Sequence, residues 1–250
     1  MEAIIGIVIF IYGLILGSFF NVVGIRVPQR KFLSSKRSQC PQCHHVLSWY
    51  ELIPVISYMI QNGKCRSCHT FIPVIYPVVE FVTAILFLIS YIWFGFTFDL
   101  LVAILLISLT IIIFITDFRY MLIPNTVLLV FLLLFVIVRL IEPLEPWWMS
   151  ILGALVGFGL IAMIIWMSRG GMGAGDMKLF ALLGLLLGFP EILLTMFMAS
   201  LYGLMFTLCL FPWYRMSKQQ PIPFGPAIML AANTIYLFGE DWIHWYISLF

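Results

Sequence analysis

The chain alternates long apolar runs with short polar breaks, and the runs hold most of its residues. Stretches of about 20 apolar residues can cross the hydrocarbon core of a bilayer as helix, and they fall near 3–24, 74–94, 100–116, 123–140, 147–168, 192–212 and 226–247. A shorter run follows Asp176 and ends at Gly188. Together they predict an all-α polytopic membrane protein with about eight transmembrane helices. One extended polar segment, residues 25–73, interrupts the pattern between the first and second spans. The organisation expected is a first transmembrane helix over 1–24, a cysteine-bearing cytoplasmic insertion over 25–73 and a transmembrane bundle over 74–250. The first run has no basic stretch before it and no small-residue cleavage site after it, so it reads as a retained anchor rather than a signal peptide.

Composition excludes an ordinary soluble domain, because 63% of the 250 residues are hydrophobic and only 10% charged. A net charge of +2 carries little information, but its distribution orients the chain. With eight spans and the N-terminus outside, Arg26, Arg30, Lys31, Lys36, Arg37, Lys64, Arg66, Arg119, Arg169, Lys178, Arg215 and Lys218 fall inside. Only Arg139 falls outside, together with Glu2, Asp99, Glu142, Glu145, Glu191, Glu240 and Asp241. This is the basic bias of cytoplasmic loops. Merging the short run with the next would move Arg215 and Lys218 outside, so Phe189-Pro190-Glu191 is expected to be an outer turn.

Two carboxylates stand at the inner ends of apolar runs: Asp117 in ITDFRYMLIPN and Asp176 in GMGAGDMKLF. An acid near hydrocarbon is costly, and by default marks function; the plain alternative is a surface charge paired with Arg119 or Lys178. Gly170, Gly171, Gly173 and Gly175 lead into Asp176 and allow close backbone approach. No P-loop lysine and serine follow and no strand precedes, so a phosphate cradle is not indicated. From Asp176 to Pro190 is 15 residues, roughly 22 Å of helix against a core of about 30 Å, which places the carboxylate slightly within the membrane. Pro124 and Asn125 suit a plain helix start. They do not explain an acid at the end of the preceding helix, where the dipole disfavours negative charge.

The polar insertion holds Cys40-Pro-Gln-Cys43 and Cys65-Arg-Ser-Cys68. Two such knuckles about twenty residues apart suit a four-thiolate zinc site, and bound metal would supply much of the folding energy of so small a segment. A pair of disulfides or a redox C-x-x-C is the alternative, disfavoured by a cytoplasmic location. His44, His45 and His69 are possible replacement ligands, and Cys209 reads as packing within an apolar helix.

Taken together, GSFFNVVGIRVP at 17–28, both knuckles, IPVISYM at 53–59, YPVVE at 76–80, Asp117 with its IPN, GAGDMKLFALLGLLLG at 173–188 and IPFGPAI at 222–228 resemble the type IV prepilin peptidases. The resemblance implies that Asp117 and Asp176 are the catalytic pair of a G-x-G-D aspartic peptidase in the bacterial cytoplasmic membrane, acting at its cytoplasmic face. It implies prepilin or pseudopilin precursors with a short basic leader as substrates, cut after a glycine, and membrane lipid as surroundings; nucleic acid is not an expected partner. It also implies N-methylation of the new N-terminal residue from S-adenosylmethionine. No glycine-rich strand-to-helix motif for that cofactor stands in the loop. The family's Asn before Ile-Pro-Val is Leu52 here, and its Ser and Arg before Tyr-Pro are Pro73 and Ile75. Glu51 and Glu80 stand at matching or adjacent places, with helix-cap or ion-pair roles as the alternative. A transporter or channel in which paired intramembrane carboxylates relay protons or bind a cation, with a zinc-bound docking loop, is the competing class, although no internal repeat supports it. A membrane scaffold recognised through the zinc loop is the third.

Overall fold

The computed structural model describes residues 2–32, 37–168, 171–210 and 223–248. Lys36, Arg169, Gly170, Arg215, Lys218 and Ile222 lie outside the described residues, as do the side chains of Glu240 and Asp241. The helices follow the apolar runs closely: α1 (Glu2–Arg26), α3 (Ile75–Phe94), α4 (Phe98–Tyr120), α5 (Asn125–Ile141), α6 (Trp148–Met167), α7 (Ala174–Leu187), α8 (Glu191–Leu210) and α9 (Gly225–Ile247). Between α1 and α3 lie a 3-10 turn (Trp49–Leu52) and a short helix, α2 (Ile56–Ile60). Neither was expected from periodicity, because both are too short to show one. Among the described residues the only β pairing is two isolated bridges, Gln39 with Val46 and Lys64 with Phe71.

Five helices, α1, α3, α4, α6 and α8, are long and apolar enough to cross a membrane, and α5 and the described part of α9 are shorter apolar helices. Helix α7 has 14 residues, about 21 Å of rise, which falls short of a hydrocarbon core. Its C-terminal carbonyls are therefore a liability in apolar surroundings. Arg139 of α5 answers it: the guanidinium Nε donates to Leu186 O at 2.8 Å, and Nη2 donates to the same oxygen. The one basic residue that broke the charge pattern thus caps a short helix. Phe189-Pro190 forms the turn between α7 and α8, as expected.

The chain divides into two compact units within α4, Met1–Ile115 and Thr116–Phe250. In the first, α1 and α3 pack through small residues. The buried glycines of α1, Gly6, Gly13, Gly17 and Gly24, form a stripe spaced by sevens and a four. A Cβ on Gly17 would lie 2.8 Å from Glu80 Cα, and one on Gly13 would meet the backbone of Ala84. This is the close backbone approach that drives helix association without a hydrophobic effect. In the second unit α6 and α7 do the same, with Gly153 and Gly157 against Gly184 and Phe180 O. Several helix hydroxyls are satisfied by their own helix, Ser108 donating to Ile104 O and Thr110 to Leu106 O, whereas the buried Ser150 Oγ of α6 has no partner among the described residues.

Candidate functional site

Asp117 lies one turn before the end of α4, where Met121, at φ 50°, ends the helix by donating its N–H to Asp117 O. Its carboxylate is buried, at 7% exposure. Gly225, the first residue of α9, donates its N–H to Asp117 Oδ2 at 2.8 Å. The acid therefore ends one helix unfavourably but faces the N-terminus of another, whose unpaired N–H groups favour negative charge. That partner comes from the IPFGPAI segment, 108 residues away in sequence. Pro226 costs nothing in the first turn of α9, where its missing N–H would have had no helical acceptor.

Asp176 lies in the first turn of α7, half-buried, with Oδ2 accepting the Gly173 N–H at 3.2 Å. The side chain thus reaches back over its own helix start, which fixes its direction. Gly175 is tightly packed: a Cβ there would lie 3.0 Å from Ile123 Cβ, so the neighbour would have to give by a few tenths of an ångström. The glycine-rich turn is thereby pressed against the Ile123-Pro124-Asn125 segment, and Lys178 Nζ donates to Asn125 Oδ1 at 2.9 Å. Two motifs some fifty residues apart are locked together by one missing Cβ and one hydrogen bond. The two carboxylates are close enough to interact electrostatically. Among the described residues neither is in an ion pair: Lys178 turns to Asn125, and the Arg119 guanidinium lies 5.8 Å from the centre of the Tyr120 ring. The reading of either aspartate as a charge neutralised by its neighbour therefore fails.

The two knuckles are built alike. Cys40 N–H donates to His45 O and His44 N–H to Cys40 O, while Cys65 N–H donates to Thr70 O and His69 N–H to Cys65 O. His44 and His69 occupy the left-handed turn after each second cysteine, at φ 56° and 57°. They shape the turns, and the four-residue cluster contains no histidine. His45 instead pairs with Glu51 at 3.2 Å, and Glu51 also accepts the Ser48 N–H at 2.8 Å. The Ser48 hydrogen bond, then His45, hold the Glu51 carboxyl below its ordinary range despite its burial. The four Sγ atoms of Cys40, Cys43, Cys65 and Cys68 lie within 4.8 Å of one another, with Cys40–Cys68 and Cys43–Cys65 at 3.8 Å. Tetrahedral zinc with bonds of about 2.3 Å sets sulfurs about 3.8 Å apart. The donor set therefore fits zinc, and all four thiols are free of disulfide bonds. Cys209 lies within the apolar helix α8, as expected, with its side chain exposed on that helix.

Sequence reasoning missed Glu80's role. It is buried in α3, at 8% exposure, and its Oε2 accepts the Val55 N–H at 2.8 Å. Val55 stands at φ 60°, ψ −50°, and Ile56 N–H closes onto Pro54 O at 2.5 Å. This is a γ-turn of the strained hand, rare for a β-branched residue. A lone acid within an apolar run was the available signal.

These features define a multi-pass membrane protein with two clustered carboxylates in one unit and a tetrathiolate module in the other. Residues 11–94 match the Bacterial Peptidase A24 N-terminal domain and residues 104–208 the Type IV leader peptidase family. The chain is 42% identical over 242 residues to the Prepilin leader peptidase/N-methyltransferase of Bacillus subtilis (strain 168), covering 97% of this chain and 98% of that protein. It is 30% identical over 270 residues to the protein of the same name from Aeromonas salmonicida (strain A449), covering 96% and 93%. With the one from Neisseria gonorrhoeae it shares 30% over 274 residues, covering 95% and 93%. No solved structure matches. The chain belongs to the type IV leader peptidase family and is a membrane-embedded peptidase.

Proposed function

We propose that this protein is an aspartic endopeptidase that removes the short basic leader of type IV prepilin-like precursors at the cytoplasmic face of the bacterial cell membrane, with Asp117 and Asp176 as its catalytic pair. The observation that carries the reading is the convergence of both carboxylates in one unit, with no cation paired to either among the described residues. In an aspartic dyad the two acids divide the work, one ionised and one neutral. The ionised one takes a proton from water as it attacks the scissile carbonyl, while the neutral one donates a hydrogen bond to the carbonyl oxygen. The tetrahedral intermediate then collapses, the C–N bond breaks, and the leaving amine receives the proton; no covalent acyl intermediate forms. The Gly225 N–H fixes the orientation of Asp117, and the Gly173 N–H that of Asp176.

The orientation, N-terminus outside and active site inside, is supported by twelve of thirteen basic residues falling on one side. It brings a basic leader to the face that holds both aspartates. The relatives' names pair the peptidase with an N-methyltransferase, and the same second activity, with S-adenosylmethionine as methyl donor, is proposed here. Zinc in the tetrathiolate cluster would be structural, since four thiolates leave no open position for a substrate. The organisation proposed remains a helix over 1–24, the zinc-binding insertion over 25–73 and the peptidase bundle over 74–250.

The test replaces Asp117 or Asp176 with Asn, which keeps the size and removes the ionisation. Either change is expected to lower cleavage of a co-expressed basic-leader precursor by about a thousandfold or more, with protein level unchanged. Cleavage within tenfold of the parent would refute the assignment.

A further inference from the structure

The segment between the knuckles lies unexpectedly deep along the helices that flank it. Leu52 and Pro54 line a cavity of about 270 Å³ with Ile15, Ser18, Phe19 and Val22 of α1. Those α1 residues precede Arg26, the end of the helix, by four to eleven positions, or about 6–17 Å at about 1.5 Å per residue. Val55 is bound to Glu80, five positions inside the start of α3. The chain therefore leaves α1, forms the first knuckle, and dips back alongside the two spanning helices. At the tip, backbone groups that water would otherwise satisfy have protein partners: Val55 N–H is held by the Glu80 carboxylate and Ile56 N–H by Pro54 O. That is the requirement on non-helical backbone at membrane depth.

Residues 52–60 carry no charge, and Leu52, Ile53, Ile56, Met59 and Ile60 are exposed, the last two at 69% and 76%. Flanking them, Lys64 Nζ lies 5.0 Å over the Phe71 ring, and the Arg66 guanidinium lies 5.5 Å from the Tyr50 ring, which packs edge-on against Trp49. Apolar side chains edged by aromatic rings and lysine or arginine are the pattern of a bilayer interface. Over residues 27–73 six basic residues face one acid, Glu51, and that acid is buried and paired.

We infer that Leu52–Ile60 is a membrane-seated element whose partner is lipid, its apolar side chains lying among acyl chains and Lys64 and Arg66 meeting anionic headgroups. A protein partner is disfavoured by charge, since the proposed substrate leader is itself basic. The choice of leaflet rests on the proposed function; the seat in lipid does not.

The full-length zinc-bound protein, reconstituted in nanodiscs, tests this without any assay of cleavage, so neither reading fails with the other. Trp49 fluorescence, taken as the difference between the parent and Trp49→Phe, is expected to be quenched by lipids brominated near the headgroup and shielded from aqueous acrylamide. Hydrogen exchange across 52–60 is expected to slow in phosphatidylglycerol-containing discs relative to pure phosphatidylcholine. Lys64→Gln and Arg66→Gln should each remove about fivefold of that added protection, at unchanged zinc content. Quenching by acrylamide alone, with exchange indifferent to lipid, would overturn the inference. So would protection that arises only when a precursor protein is added. If Trp49→Phe loses zinc, the exchange comparison on the parent chain decides.

Discussion

Single atoms decide much of what this chain does. Gly175 is the clearest case, because the missing Cβ is what lets the turn carrying Asp176 rest on Ile123. If Asp176 acts as proposed, Gly175→Ala should lower cleavage by one to two orders of magnitude, by displacing that acid. The companion change Ile123→Val should restore part of that loss in a double-mutant cycle; purely additive rates would show that the contact does not set the geometry. Glu80 gives a second case. Glu80→Ala leaves a part-buried backbone N–H unpaired at Val55 and should cost about 1–3 kcal/mol in the first unit. Glu80→Gln retains a carbonyl acceptor and should cost less. Thermal unfolding followed in detergent measures both.

At the scale of elements, the short helix α7 is the informative one. A helix of 14 residues sets its first turn, and with it Asp176, below the membrane surface only if its far end is held in place. Arg139 holds that end through Leu186 O. Arg139→Ala should therefore destabilise the protein by about 1–3 kcal/mol and lower cleavage although it lies at the opposite end of the helix. Arg139→Lys, which cannot make the forked contact, should fall between. An unchanged melting temperature in Arg139→Ala would show that the cap is idle. The glycine pair Gly153 and Gly184 fixes the same helix sideways. Its sequence signal, Gly153 and Gly157 four positions apart within an apolar run, was present but indistinguishable from the glycine content common to membrane helices.

For the whole molecule, the tetrathiolate module is expected to act on folding before chemistry. Cys65→Ser should abolish stoichiometric zinc, read as metal per protein, and reduce the amount of folded protein. Protein that lacks zinc yet accumulates normally would show that the metal is dispensable. Mass spectrometry of the processed N-terminus tests the second activity, an added methyl being the expected result.

The architecture was legible along the chain because a bilayer imposes a length and polarity rule on each segment independently. Eight apolar runs became eight helices, and two short knuckles with four soft ligands became one cluster, since both patterns are local. Asp117, Asp176, Cys40, Cys43, Cys65 and Cys68 all stand out along the chain as expensive or chemically distinctive side chains in unusual surroundings, and the four cysteines do cluster. What the sequence left open were contacts whose partners are distant and carry no side-chain signature. The Gly225 N–H on Asp117, the Leu186 carbonyl under Arg139 and the Val55 N–H on Glu80 are all backbone groups, and every residue except proline has the same ones. The electrostatic contact between the two aspartates, on which the proposed chemistry rests, is likewise a product of packing: α4, α7 and α9 had to meet before one acid could feel the other. Composition determined that the carboxylates were costly; only the tertiary structure decided that they were costly together.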